Sequence, residues 1–265
     1  MARKREPGTL VVIGGAENKD GNPDILKDVA KQVGKGPLVI MTCATEEPQE
    51  AWERYRAVFT KLGVTDLAHV DVRDREAALD PELSAPLDDA KGVFFTGGDQ
   101  LRITSHIGGT PVYDRIQDVL ERGGVVAGTS AGASVMSETM LVGGASDNTP
   151  RVDEIVQMAP GLGFLQGAIV DMHFSERGRI GRLLGAIAQN PRVVGVGIDE
   201  DTAMVVRANC VEVVGSGAVW FVDGRKAGTT NISDAMSKET LSIENVTLHV
   251  LAAGRRYDLA ARRPL

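Results

Sequence analysis

Cysteine is nearly absent from this chain of 265 residues. Cys43 and Cys210 are the only two, they lie far apart, and they form no Cys-x-x-Cys pair. That usage predicts reduced thiols in a cytoplasmic protein and argues against a disulfide framework. Histidine is scarce too, with four residues. His69, His106, His173 and His249 are each isolated, without the spacing a zinc site needs, so no metal is expected. Long apolar runs are missing as well. The basic start Met-Ala-Arg-Lys-Arg-Glu-Pro leads only into Leu10–Ile13 before Gly14-Gly15, too short for a signal-peptide core, and nothing approaches a membrane span. Positive charge is in deficit: 29 Lys and Arg against 36 Asp and Glu give a formal charge of −7, which speaks against nucleic acid as a partner. Neither G-x-G-x-x-G nor G-x-x-x-x-G-K-[ST] occurs, so a nucleotide site would be atypical.

What is present describes an ordinary globular chain: 43% hydrophobic and 25% charged residues, with enough length for a substantial core. Apolar runs at 9–13, 37–42, 68–72, 92–96 and 124–127 are mostly continuous, the pattern of strands buried on both faces. Amphipathic stretches lie between them, at 49–62 (Ala51, Tyr55, Val58, Phe59, Leu62) and 113–122 (Tyr113, Ile116, Leu120). This alternation predicts a doubly wound, mainly parallel α/β sheet in one domain spanning 1–265. In the last third, runs at 203–206, 211–214, 218–222 and 247–251 are expected to add antiparallel strands to the same sheet.

The most informative segment is Gly124-Val-Val-Ala-Gly-Thr-Ser130-Ala-Gly-Ala133. An apolar run drives straight into Gly128-Thr129-Ser130-Ala131-Gly132, and small helix-compatible residues follow. G-x-S-x-G between a strand and a helix is the context in which a serine becomes an exposed, backbone-strained nucleophile. A Gly/Ser-rich turn without chemistry is the bland alternative. Ser130 would need a base. Among the histidines, His173 follows the apolar run Gly167–Val170 and Asp171, at a strand end where ligands gather in such sheets. An acid to orient it is available in Asp199-Glu200-Asp201, after another apolar run, and the residues alone leave the choice among them open. The order Ser, His, acid differs from the Ser, acid, His order of α/β-hydrolases. The Gly97-Gly98 turn could supply an oxyanion donor beside the N–H of Ala131. Beyond His173, Ser175 can cap a helix whose early turns carry Arg177, Arg179 and Arg182; arginines there oppose the helix dipole, so a carboxylate-bearing ligand would account for them.

Taken together, Gly14-Gly15-Ala16-Glu17, Thr96-Gly97-Gly98-Asp99-Gln100, Gly128–Ala133, Asp171-Met172-His173-Phe174, Arg177–Arg182 and Gly197–Ala203 resemble the cyanophycinase family, within the serine peptidases that also hold the aspartyl dipeptidases (peptidase E). The resemblance implies a flavodoxin-like fold related to class I glutamine amidotransferases. It implies Ser130 as nucleophile, His173 as general base, Glu200 as orienting acid, and Gly98 and Ala131 as oxyanion donors. It further implies that Gln100, Asp171, Arg177, Arg179 and Arg182 contribute to a pocket for the aspartyl part of a substrate. The implied reaction is exopeptidase cleavage of cyanophycin, a poly-aspartate carrying arginine on its side chains, to β-Asp-Arg dipeptides by a cytosolic homodimer without metal or cofactor. Hydrolysis of short Asp-containing peptides is the alternative. Glu17 and Asp99 are acidic candidates for receiving the substrate guanidinium. One position departs from the family pattern: Met172 stands where the family usually has glutamine, and a thioether cannot replace an amide that both donates and accepts hydrogen bonds.

Overall fold

Four of the five continuous apolar runs are buried on both faces. Thr9–Ile13 (β1), Leu38–Met41 (β2), Gly92–Phe95 (β4) and Val125–Thr129 (β5) are buried at every residue, and Leu67–Val70 (β3) is half-buried. The computed structural model describes residues 8–144, 156–233 and 239–265, so the basic stretch 1–7 lies outside the described residues. Helices α1 (Asp24–Val33), α2 (Pro48–Lys61), the one-turn α3 (Pro81–Ser84), α4 (Gln100–Ile107), α5 (Pro111–Glu121) and the one-turn α6 (Ala131–Ser134) alternate with these strands. Then come β6 (Thr139–Gly143), β7 (Gln157–Pro160), β8 (Ala168–Met172), α7 (Ile180–Gln189), β9 (Val194–Ile198), β10 (Thr202–Arg207) and β11 (Cys210–Gly215). The chain closes with β12 (Ala218–Asp223), β13 (Thr247–Ala252), β14 (Arg256–Asp258) and β15 (Arg263–Pro264).

The main sheet has nine strands in the order β15-β14-β11-β10-β1-β5-β4-β2-β3. From β1 to β3 all neighbours are parallel, while β10, β11, β14 and β15 pair antiparallel. Alternation along the strands splits the core between the two faces. Val12, Val39, Phe95 and Val126 pack with Ile103, Val112 and Ile116, whereas Val11, Ile40, Phe94 and Ala127 pack with Leu26, Val29, Tyr55 and Phe59. Helices on both faces of a parallel sheet follow from this two-sided burial. The helices expected at 49–62 and 113–122 form, each starting at a proline whose fixed φ suits a first helical position. In the second, Val112, Ile116 and Val119 make the buried stripe, and Tyr113 and Leu120 pack at its margin.

The last third departs from expectation in one respect. β10 and β11 do extend the main sheet, but 218–222 and 247–251 do not. They become β12 and β13 of a separate four-stranded sheet, ordered β13-β12-β9-β8. The reason is that Val194–Ile198 and Ala168–Met172 are also continuous apolar strands needing partners. β12 pairs along β9 from Val219↔Ile198 to Asp223↔Val194, instead of turning back on β11. The chain therefore crosses between sheets at 199–201, leaving β9 in one and entering β10 in the other.

Asp223, at the end of β12, ties the carboxyl-terminal segment to this second sheet. Its buried carboxylate accepts from Arg225 and from Arg262 Nη1 at 2.8 Å. Burial alone would raise its pKa, but the bonds from Arg225 and Arg262 outweigh that and hold the carboxyl below the usual aspartate range. A depressed carboxyl contributes stability that is fully present above the unfolded-state value and is lost as pH falls through the folded value. Asp223→Asn is therefore expected to lower stability at neutral pH and to flatten the loss on acidification below about pH 4, as read from urea midpoints at pH 7 and at pH 3; equal losses at both pH values would refute it.

Candidate active site

The turn leaving β1 organises the site. Its three successive carbonyls each accept a backbone N–H from a different segment: Ile13 from Ser130 at 3.0 Å, Gly14 from His173 at 2.8 Å, and Gly15 from Asp201 at 2.9 Å. Ser130 follows β5, His173 follows β8, and Asp201 closes the crossing between β9 and β10. One turn thus gathers the ends of three strands from two sheets. All three donors have positive φ, at 52°, 49° and 45°.

Ser130, at φ 52° and ψ −113°, is the strained corner between strand and helix. Gly132 is needed there because a Cβ on it would lie 2.6 Å from the Phe95 carbonyl oxygen of β4. The Ser130 Oγ lies 2.9 Å from His173 Nε2, and His173 Nδ1 lies 2.6 Å from Glu200 Oε1. The carboxylate fixes the imidazole proton on Nδ1 and leaves Nε2 to accept from the hydroxyl, the arrangement that lets an attacking hydroxyl lose its proton. The other two acids of the run are engaged elsewhere. Asp199 accepts the Ser175 and Ala218 N–H groups at 3.1 and 3.0 Å, and Asp201 accepts the Asn18 N–H and the Ser216 hydroxyl, each at 2.8 Å. Only Glu200 faces the histidine, a distinction that no local residue pattern carried.

The Gly97-Gly98 turn lies against the serine: a Cβ on Gly97 would be 3.4 Å from that of Ser130. Among the described residues, neither the Gly98 N–H nor the Ala131 N–H has a protein acceptor. Ala131 opens α6, where a free N–H is expected, and Gly98 is exposed. Gln100 opens α4 and spends its amide N–H on the Leu141 carbonyl at 3.0 Å, keeping its own oxygen.

Asp171 is fully buried between two arginines. Arg182 grips it in a fork, with Nε 2.6 Å from Oδ2 and Nη2 on Oδ1, and Arg179 Nη1 reaches Oδ1 at 3.2 Å. Any contribution of Asp171 to a pocket is therefore indirect, through these guanidiniums. Burial pushes Arg179 down to about 10, against the pull of Asp171, so it stays charged at neutral pH. One carboxylate between two guanidiniums leaves a net positive charge. Met172 is buried, with Sδ 3.4 Å from Arg179 Nη1, and packs under that guanidinium. Arg177 is exposed on the turn before the helix.

Two expectations are corrected. Ser175 caps no helix: α7 begins at Ile180, five residues later, and the Ser175 hydroxyl donates to Asp199 instead. The intervening turn wraps around His173, whose carbonyl accepts the Arg177 N–H at 3.2 Å. Nor is Glu17 free to meet a guanidinium from outside. It is 3% exposed, with Tyr55, Thr129 and Lys19 on its two oxygens. Asp99 is exposed and caps α4 through the Leu101 N–H at 2.8 Å. Among the described residues no group of three or more His, Cys, Asp and Glu could hold a metal ion. A cavity of about 660 Å³ lies at the far end of β1 between Gly8, Gln166 and Arg262, and contains none of these residues.

Gly15 packs flat on the imidazole. A Cβ there would lie 2.3 Å from His173 Cε1 and 2.5 Å from Nε2, at a φ of +108°. Gly15→Ala is expected to push the ring off the serine and slow Ser130 labelling by a fluorophosphonate probe by about a hundredfold or more, with the far-UV spectrum retained. Labelling at the unaltered rate would show that the ring is not held by this contact.

The sequence pattern of Peptidase family S51 matches residues 10–214. A cyanophycinase of Geminocystis herdmanii is 38% identical over 261 residues, covering 97% of this chain and 96% of its own. One from Nostoc sp. is 40% identical over 261 residues, 97% of this chain and 87% of its own. In three dimensions the chain superposes on a peptidase from an acI-B1 actinobacterium with a TM-score of 0.69, 23% identity, and coverage of 92% of this chain and 98% of that one. A putative peptidase E protein from Listeria monocytogenes gives a TM-score of 0.56 at 15% identity, over 80% of this chain and all of that one, a likeness of fold alone. With the family pattern covering about three quarters of its length, including the serine corner, His173 and Glu200, this chain belongs to peptidase family S51 and is a serine-type peptidase.

Proposed function

We propose that this chain is an exopeptidase that degrades cyanophycin to β-Asp-Arg dipeptides through an acyl-enzyme on Ser130. The observation that carries the reading is the Ser130–His173–Glu200 chain of bonds at 2.9 and 2.6 Å, in a sequence 38–40% identical to cyanophycinases along 97% of its length. His173 Nε2 takes the Ser130 proton as Oγ attacks an aspartyl carbonyl, and Glu200 steadies the imidazolium that forms. The free N–H groups of Gly98 and Ala131 receive the oxyanion. The imidazolium then protonates the leaving nitrogen, and water hydrolyses the ester by the same path. The net positive charge of the Arg179–Asp171–Arg182 cluster, with the exposed Arg177 close by in sequence, supports a pocket selective for aspartyl carboxylates, to which Gln100 would contribute. The reading includes a homodimer in the cytoplasm. The two isolated cysteines support that compartment, and among the described residues no helix is long and apolar enough to cross a membrane.

The deciding experiment incubates the purified protein with insoluble cyanophycin and follows products by mass spectrometry, with Ser130→Ala as control. Serine-dependent release of β-Asp-Arg is expected. An intact polymer alongside cleaved Asp-containing dipeptides would overturn the substrate while sparing the chemistry. Glu200→Gln is expected to lower kcat by about 10²–10⁴ with KM within a few-fold, since the amide cannot stabilise the imidazolium; an unaltered kcat would remove Glu200 from the mechanism.

A further inference from the structure

We infer that Thr129 is a positioning residue for the nucleophile, held from beneath by the buried carboxylate of Glu17. The inference rests on the reading of Ser130 as nucleophile given above. Ser130 occupies a backbone conformation that persists only where its surroundings over-determine it. The ladder with β4 ends at Gly128↔Phe95 and that with β1 at Thr129↔Ile13, so the sheet gives out at the serine. The Thr129 side chain adds a restraint beyond the ladder, Oγ1 donating to Glu17 Oε2 at 2.5 Å.

Glu17 is suited to act as the anchor. It belongs to the segment leaving β1, just after the carbonyls that hold Ser130, His173 and Asp201. Its other oxygen, Oε1, accepts the Tyr55 hydroxyl of α2 at 2.6 Å and the Lys19 ammonium at 2.8 Å. A buried carboxylate is tolerated only when its oxygens are met, and here three donors meet them. Burial first, and then the charge of Glu17, keep the Tyr55 phenol protonated and donating. The carboxylate therefore links the strand end before the serine to the helix layer behind it. The two oxygens also divide the network: Oε2 serves the nucleophile arm, while Oε1 serves α2 and retains Lys19 if Tyr55 is lost.

That division gives the test. Fluorophosphonate labelling rates, kcat, KM and melting temperatures would be measured for the wild type, Ser130→Ala, Thr129→Val, Thr129→Ser and Tyr55→Phe. Thr129→Val keeps the shape and removes the donor. It is expected to slow labelling and kcat together by about tenfold, with KM and the pH midpoint of labelling unmoved, because the base is untouched. Thr129→Ser restores at least half the rate. Tyr55→Phe lowers the melting temperature but labels within twofold of wild type. If Thr129→Val does not fold, Thr129→Ala takes its place. Thr129→Val labelling at the wild-type rate, or Tyr55→Phe slowing it equally, would overturn the inference and leave the network a stability element. A wild type that labels no better than Ser130→Ala would overturn the nucleophile reading, and this inference with it.

Discussion

Three consecutive carbonyls at the end of the first strand are the constraint on which the rest of this structure depends. Ile13, Gly14 and Gly15 accept the N–H groups of Ser130, His173 and Asp201, and all three donors have positive φ. A strained corner such as Ser130 costs about 1–3 kcal/mol, and a backbone hydrogen bond returns a net of about 0.5–1.5. The bonds offset part of that cost on central values, and close packing around the turn adds to them, with Gly15 against the imidazole and the buried Glu17 carboxylate bonded to Thr129. The geometry of the candidate site is in this sense a property of one turn, with the two sheets as its scaffold.

The parts legible in the sequence were those written in local chemistry. Four of the five parallel strands announce themselves as continuous apolar runs because each is buried on both faces, and the edge strand β3 is half-buried. Ser130 is visible because its corner demands small residues on either side of it. His173 stands out by its place at a strand end rather than by its type. These are statements about a few adjacent residues, and no partner has to be known for them to be made.

What was not legible depends on pairing at long range. The runs at 218–222 and 247–251 look like those at 203–206 and 211–214, and the strands they join are settled by the unpartnered edge of Val194–Ile198, far away in sequence. The same holds within Asp199-Glu200-Asp201. Three adjacent acids are told apart only because Ser175, Ala218, Asn18 and Ser216 occupy the first and third. The arginine turn was misread for a related reason. Ser175 is a good cap by type, but Asp199 claims its hydroxyl and the segment folds around His173 before any helix starts. Glu17 looked like a surface acid and is a buried anchor, since nothing nearby in sequence reveals Tyr55 or Thr129 as its partners.

The crossing at 199–201 has a consequence for how such an enzyme comes into being. Ser130 and Glu200, the proposed nucleophile and orienting acid, belong to segments that emerge from the ribosome some seventy residues apart, and Glu200 rides on the link between the two sheets. A nascent chain that has completed the serine corner still lacks the base and the acid. Both arrive only with the strands that commit the second sheet to dock. Ser130, His173 and Glu200 can therefore meet only after the chain has passed residue 200 and the two sheets have docked.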